Sequence, residues 1–417
     1  MENRNRKDLI RRVDRALDFA EAAISLVQEK DPGIDMEALE APPDKIIAET
    51  AMLLRAVVTL NGDEADSLRR RASSLASRLA KHARHDRVRI GVALFPALAL
   101  DYGAAHIVLE SAGVPDVSFT QTIKNSLEAT TANARERFPH RELEQAWLTS
   151  LLYASGVDRG IAARTSLIRG IDVISGSRDD AYSFTHALMY ATDFGHRLPQ
   201  SWLPSERILS IARSALAAVL DDDDFDLAGE LLLSWPFLRA EWDDTASFAF
   251  AVLASVEDEV GVLPSLALDL NEYKKLPSES RKNYVAAVAY HTAYVMGLLC
   301  ASALRAGEYP RKQVISDTER TDFADELIGV LRREPRTPQW LRYFETLEAS
   351  QRNASLPLLL DLALRRALRK TNFAEAHELI SEAANRGVEP TRLCVQGAEM
   401  LNRLARAVRT EAVHCTA

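Results

Sequence analysis

From Asn283 to Leu304 the chain runs for twenty-two residues without an Asp, Glu, Lys or Arg (NYVAAVAYHTAYVMGLLCASAL). A stretch of that length and character either spans a bilayer or forms a helix enclosed by other elements on every side. Asn283, three tyrosines, His291, Thr292 and Ser302 interrupt it, and the mean hydropathy of the whole chain is only −0.14. The reading is a central, buried helix and no membrane span. Ile90–Leu109 reads the same way, broken by Pro96 and Asp101.

A buried helix needs neighbours, and the pattern around it says they are helices too. Leu9, Val13, Leu17 and Ala20 recur at helical spacing, as do Leu68, Leu75 and Leu79, with Asp63 or Asp66 placed to cap the second run. Seventeen glycines and sixteen prolines in 417 residues leave few tight turns for hairpin strands. No stretch alternates with β-branched enrichment, so no sheet is expected. Helices are expected near 43–60, 89–111, 118–135, 140–154, 181–194, 205–220, 225–239, 244–257, 282–306, 318–332, 337–348, 354–370, 373–386 and 391–409.

A weak repeat organises these helices. Glu142–Gly156, Asp180–Gly195 and Asp224–Leu238 each open on an acid, run into a largely apolar helix and carry an aromatic near its end (Tyr153, Tyr190, Trp235). Ala286–Ala301 reads as a fourth copy. More polar helices such as Ser205–Leu220 lie between, at the spacing of two-helix units. Apolar helices alternating with amphipathic ones are what the inner and outer layers of a curved stack require. The fold expected is all-α, of stacked helical hairpins: an α/α toroid if the stack closes, an open α-solenoid if it does not. Residues 1–112 read as an N-terminal helical part, 113–309 as the hairpin-repeat core with the candidate site, and 310–417 as C-terminal hairpins, in one continuous body. Within the last part, Thr371–Gln396 resembles a single tetratricopeptide or pentatricopeptide hairpin through Ala374, Ala376, Leu379, Ala383 and Gly387.

Charge and cysteine usage exclude several classes. Net charge is −9, yet fourteen acids and one base, Arg239, fall between Asp221 and Glu272. Nucleic-acid binding needs a basic surface to displace phosphate counterions, so it is not expected. The acids read as a solvated surface. Asp222, Asp223 and Asp226 form a DDxxD pattern like that of class I terpene synthases, but the partner metal motif is missing and a capping loop fits better. Cys300, Cys394 and Cys415 have neither disulfide-framework nor metal-knuckle spacing. The N-terminus turns amphipathic too soon for a signal peptide, which points to a cytoplasmic location. Phosphate loop, dinucleotide fingerprint, nucleophile elbow and HExxH are all absent.

The densest chemical cluster is Ser183–His196 (SFTHALMYATDFGH). On a helix His186, Tyr190 and Asp193 share one face, and His196 follows a helix end set by Gly195. Such groups can serve as general acid, general base and orienting carboxylate, or can hold a divalent metal through two imidazoles and a carboxylate. As plain core residues, Tyr190 packs, Asp193 bonds backbone amides and His186 satisfies a core hydrogen bond. No ligand spacing is specific enough to assign a metal, and no cofactor is assigned. A second group sits on the apolar helix: Tyr284, His291 and Tyr294. If that helix and the Asp180 helix are equivalent inner helices, His186 and His291 face one cavity. The expected catalytic set is then His186, Tyr190, Asp193 and His291. His196, Tyr294, Tyr284 and Trp235 are the binding candidates.

Together, Phe184–Gly195 (FTHALMYATDFG) and Tyr290–Gly297 (YHTAYVMG) resemble an uncharacterised family of helical actinobacterial proteins, a domain of unknown function associated with natural-product gene clusters. The resemblance implies a tailoring or accessory enzyme acting on a peptide or small-molecule substrate. The competing expectation is a non-catalytic helical scaffold that holds a peptide or partner protein in its concave surface. An enzyme requires these side chains to converge on an enclosed pocket; a scaffold leaves them apart along an open groove.

Overall fold

The computed structural model describes residues 2–28, 42–310 and 318–414, and among them it is helical throughout, with no strand. We label α1 (Glu2–Gln28), α2 (Pro43–Val58), α3 (Ala99–Ser111), α4 (Pro139–Leu152), α5 (Arg178–Ala191), α6 (Phe225–Leu232), α7 (Ser278–Ala306) and α8 (Leu356–Arg369). Helix α7 contains the uncharged stretch. It is long and apolar enough to cross a membrane, but 89% of its most apolar window is buried inside the protein.

The packing of α2 to α7 has a simple order. Helix α2 lies on α3, α3 on α4, α4 on α5, α5 on α6, α6 on α7, and α7 returns to α2. The four repeat segments read from the sequence supply α4, α5, α6 and α7. Further helices pack beside these: α1 and Asp66–Ala83 beside α7 and α2, Asp86–Leu94 and Val117–Leu127 beside α3, and Ser205–Asp221 and Asp244–Val260 beside α6. One large apolar core holds residues from Leu9 to Cys394, and a smaller cluster gathers Leu26, Val262 and the start of α7 around Tyr284. Cys300 and Cys394 are buried in the large core; Cys415 lies outside the described residues.

Local signals explain where the elements begin and stop. Ser177 and Asp180 form a reciprocal capping box at the start of α5, satisfying two free amides of the first turn. The helix expected over 89–111 is two helices, because Pro96 has no N–H to offer the preceding turn and Pro96–Leu98 tightens into a 3-10 turn. The expected 225–239 helix also divides, into Phe225–Leu232 and Ser234–Leu238. The short helices Arg159–Ala162, Ser166–Arg169 and Leu270–Lys275 are too brief to carry a periodic signature.

The acidic stretch is only in part the solvated surface that the sequence suggests: Asp222, Glu241, Glu259, Asp269 and Glu272 are exposed, but others are engaged. The engaged carboxylates meet arginines from other elements: Asp221 with Arg366 (2.8 Å), Asp223 with Arg336 (2.8 Å), Asp224 with Arg178 (2.7 Å) and Asp243 with Arg213 (2.6 Å). Asp224 also caps α6 through the Leu227 amide. The run therefore ties α6 and the Ser205–Asp221 helix to α5, α8 and the loop before Gln339.

In α8, Asp361 is 2% exposed and accepts hydrogen bonds from Ser214 Oγ (2.8 Å) and from Thr391 Oγ1. Burial pushes its carboxyl up from 3.8 to about 7, against the lowering effect of the two hydroxyls. Folded protein thus keeps this proton to near neutrality, whereas unfolded chain loses it near 3.8. Between those values the native state binds more protons, so stability falls as pH rises. Asp361→Asn is expected to flatten that slope, gaining roughly 2–4 kcal/mol relative to wild type between pH 5 and pH 8. Denaturant melts of both proteins at the two pH values check this; an equal difference at both would refute it.

Candidate functional site

Side chains from α2 to α7, with Phe194 just after α5, enclose a cavity of about 330 Å³. Its walls are Asp44, Lys45, Glu49 and Met52 from α2, and Asp101 and Ala104 from α3. Helix α4 adds Arg141, Glu144 and Leu148; α5 adds Tyr182, His186 and Tyr190. Glu230 comes from α6, and His291, Tyr294 and Leu298 come from α7. A larger hollow of about 590 Å³ opens beside α4 between Pro96 and Ile161, but no histidine or cysteine reaches it. The smaller cavity holds the chemistry.

Its centre is Glu230, an acid 2% exposed on α6, one helical turn after Asp226. Thr185 Oγ1 donates to Glu230 Oε2 (2.6 Å), His186 Nδ1 lies 3.5 Å from the same oxygen, and His291 Nε2 lies 3.7 Å from Oε1. The two histidines thus meet on one carboxylate. His291 is held on its other side by Glu49, with Nδ1 at 2.9 Å from Oε2, and its Nε2 is 3.2 Å from Asp226 Oδ1. Burial disfavours charge on His291, but Glu49 and then Asp226 outweigh it and hold the imidazole well above its ordinary value. Glu49 and Glu230 answer in kind: burial would raise each, and the histidines bring both below the usual carboxylate range.

His186 has a defined tautomer when it is neutral. Its Nδ1 is 3.1 Å from the Tyr182 carbonyl oxygen, an acceptor only, so Nδ1 carries the hydrogen and Nε2 keeps its lone pair. The ring stacks on Tyr182 at 3.8 Å between centroids and meets His140 edge-on at 6.5 Å. Burial, followed by Arg141, brings His140 down to about 4. Tyr182 is pushed up to about 12 by burial and then by Glu230, and burial with Glu144 raises Tyr190 further. Both phenols therefore remain hydroxyl donors at neutral pH. Tyr294 turns its ring to the cavity but commits its hydroxyl to Thr50 Oγ1 (2.8 Å), which itself donates to the Ile46 carbonyl.

Of the residues singled out from sequence, the structure brings His186, Tyr190, His291 and Tyr294 together around this cavity. It does not bring Asp193, because α5 ends at Ala191 and Asp193, Phe194 and Gly195 all adopt left-handed backbone (φ 52°, 53° and 72°). That turn swings Asp193 off the His186 face. There it binds Arg55 through both oxygens (2.7 and 2.9 Å) and accepts from Trp147 Nε1 (2.7 Å). His196 lies against Arg305, and burial followed by that guanidinium brings it down to about 2. Tyr284 sits near the start of α7, where its hydroxyl accepts from the Asp269 amide. Trp235 is buried, donating to Asp243.

Sequence reasoning missed Glu49, Tyr182 and Glu230, and saw Asp226 only within its acidic run. One signal was available: Glu230 is the lone charge within LAGELLLSWPFL, four residues after Asp226 and so on the same helix face. The approach of α6 to α7 rests on Gly229, where a Cβ would stand 2.5 Å from Val295 Cγ1. A methyl there would push α6 away from Val295, and with it Glu230 and Asp226 from His291.

Comparison with known proteins gives one match. The family described as "Domain of unknown function (DUF6895)" matches residues 13–301, which include every side chain that lines the cavity. No curated protein and no solved structure matches the chain.

Proposed function

The chain belongs to the DUF6895 family, and from that premise we propose that it is an enzyme acting on a small molecule or a short peptide end by acid–base chemistry in the α2–α7 cavity. The observation that carries this is the meeting of His186 and His291, from different helices, on buried Glu230. Core packing has no use for two imidazoles and a carboxylate facing a cavity, and converging titratable groups in a cavity are what proton transfer requires. His186 is the proton carrier, with Nε2 as base and Glu230 orienting the ring and balancing its charge. Tyr182 and Tyr190 present hydroxyls for a developing anion, while His291, clamped among Glu49, Asp226 and Glu230, organises the floor. A volume of about 330 Å³ is at the lower end for small-molecule sites and admits a metabolite or one or two residues of a peptide.

The same reading takes the body as an α/α toroid, supported by the packing order in which α7 returns to α2. A tailoring role in natural-product assembly, in an actinobacterial setting, is supported by the resemblance carried by Phe184–Gly195 and Tyr290–Gly297.

Purified protein incubated with a metabolite extract, followed by untargeted mass spectrometry, tests the enzymatic reading. Wild type is expected to convert a small set of features, and His186→Gln and Tyr190→Phe to reduce that conversion by about 10²-fold or more with unchanged circular dichroism. Equal conversion by folded His186→Gln protein would end it.

A further inference from the structure

Beside the cavity lined by Glu230 and His291, Asp226 Oδ1, Glu230 Oε1 and His291 Nε2 lie within 4.8 Å of one another. Resting on the reading of this cavity as the functional site, we propose that these three side chains bind a divalent transition-metal ion such as Zn²⁺ or Mn²⁺. Metal–ligand bonds of about 2.0–2.2 Å put neighbouring ligand atoms roughly 3.0–3.5 Å apart. The separations from His291 Nε2, 3.2 Å to Asp226 Oδ1 and 3.7 Å to Glu230 Oε1, fall at or just beyond that edge.

The outer atoms of the same side chains are already occupied. Glu49 takes His291 Nδ1 (2.9 Å), Thr185 donates to Glu230 Oε2 (2.6 Å), and Arg178 donates to Asp226 Oδ2 (3.4 Å). A carboxylate behind a ligating imidazole fixes its tautomer and raises its basicity, and hydrogen bonds to the far oxygens aim the near ones. Asp226 Oδ1, by contrast, is buried and makes no hydrogen bond. It faces His291 Nε2 at 3.2 Å, so either an imidazolium or a metal ion shared with that nitrogen can neutralise it. Asp226 and Glu230 are one helical turn apart on α6, and Gly229 lets that turn approach α7.

The donor set selects the ion. Two carboxylates favour a dication, and an imidazole favours the transition series over Mg²⁺ or Ca²⁺. Three protein ligands would leave positions open for a water or a substrate oxygen to complete the shell.

The test uses the full chain stripped with EDTA and titrated calorimetrically with Zn²⁺, Mn²⁺ and Mg²⁺, each alone, with Co²⁺ as a spectroscopic probe. One equivalent of Zn²⁺ or Mn²⁺ is expected to bind at micromolar Kd or tighter, with Mg²⁺ weaker. Asp226→Asn and His291→Gln should each weaken binding by about 100-fold or more, and Asp222→Asn in the neighbouring acidic run should leave it unchanged. Glu49→Gln should weaken it by about 10-fold while keeping the 1:1 stoichiometry. If His291→Gln does not fold, Asp226→Asn, on a partly exposed side chain, carries the test. No 1:1 binding, or the same Kd in Asp226→Asn as in wild type, overturns the site. Metabolite turnover by stripped protein that also binds no metal would reject the metal and keep the acid–base pocket. Tight metal binding with full turnover by His186→Gln would do the reverse.

Discussion

Asp193→Ala is expected to lower the free energy of unfolding by about 3–5 kcal/mol, the loss typical of stranding a buried charge. Asp193 is 4% exposed and holds three charge-assisted hydrogen bonds, two from Arg55 and one from Trp147. Alanine removes them all and leaves the Arg55 guanidinium, 7% exposed, without its counter-charge. It also places a residue poorly suited to left-handed backbone at a position where φ is 52°. Asn tolerates that conformation and can still accept from Trp147, so Asp193→Asn should cost roughly half as much. Trp147 packs at 5.4 Å on Tyr190 and 5.1 Å on Phe194, both cavity walls, so the alanine variant should loosen the pocket as well. Urea melts of the two variants give the answer; an Asp193→Ala protein within about 1 kcal/mol of wild type would mean the network contributes little.

Arg12→Ala should be comparably damaging, by about 3–5 kcal/mol. Arg12 is 2% exposed and bridges Glu257, Asp258 (2.8 Å) and Asp8 (2.9 Å), fastening α1 to the Asp244–Val260 helix. Glu257, 3% exposed, would be left as a buried carboxylate with only Arg15, at 3.5 Å, beside it. Removing the stranded partner should therefore recover stability. The double variant Arg12→Met/Glu257→Gln is expected to lose at least about 1–2 kcal/mol less than the sum of its singles. Simple additivity in that cycle would show that the pair is not coupled.

Much of the secondary structure was legible because it follows from local rules. Period, capping acids and glycine stops located most of the longer helices from Pro43 to Ala306 to within a few residues, though the one expected over 118–135 ends at Leu127. The departures come where one residue overrides the pattern, as Pro96 does within 89–111. In the site, His186 and His291 stood out because imidazoles are conspicuous in apolar helices. Glu49 did not, since a glutamate near the start of an amphipathic helix resembles any exposed one until α7 is laid against it. Asp193 misled for a different reason: periodicity extends a face past the point where three left-handed residues end the helix. The acidic stretch misled because its arginine partners, Arg336 and Arg366, lie more than a hundred residues downstream.

The return of α7 to α1 and α2 has a consequence during synthesis. Helix α1 presents Leu9, Val13, Leu17 and Ala20 to a core completed by α7, which begins some 250 residues later. At about 5–20 residues per second, roughly 12–50 s of translation separate the emergence of the two helices. Throughout that interval α1 can meet α2 and Asp66–Ala83, but the part of its face that α7 covers has no final partner, and Glu49 has no His291. A pause in translation upstream of α7 would lengthen that exposure.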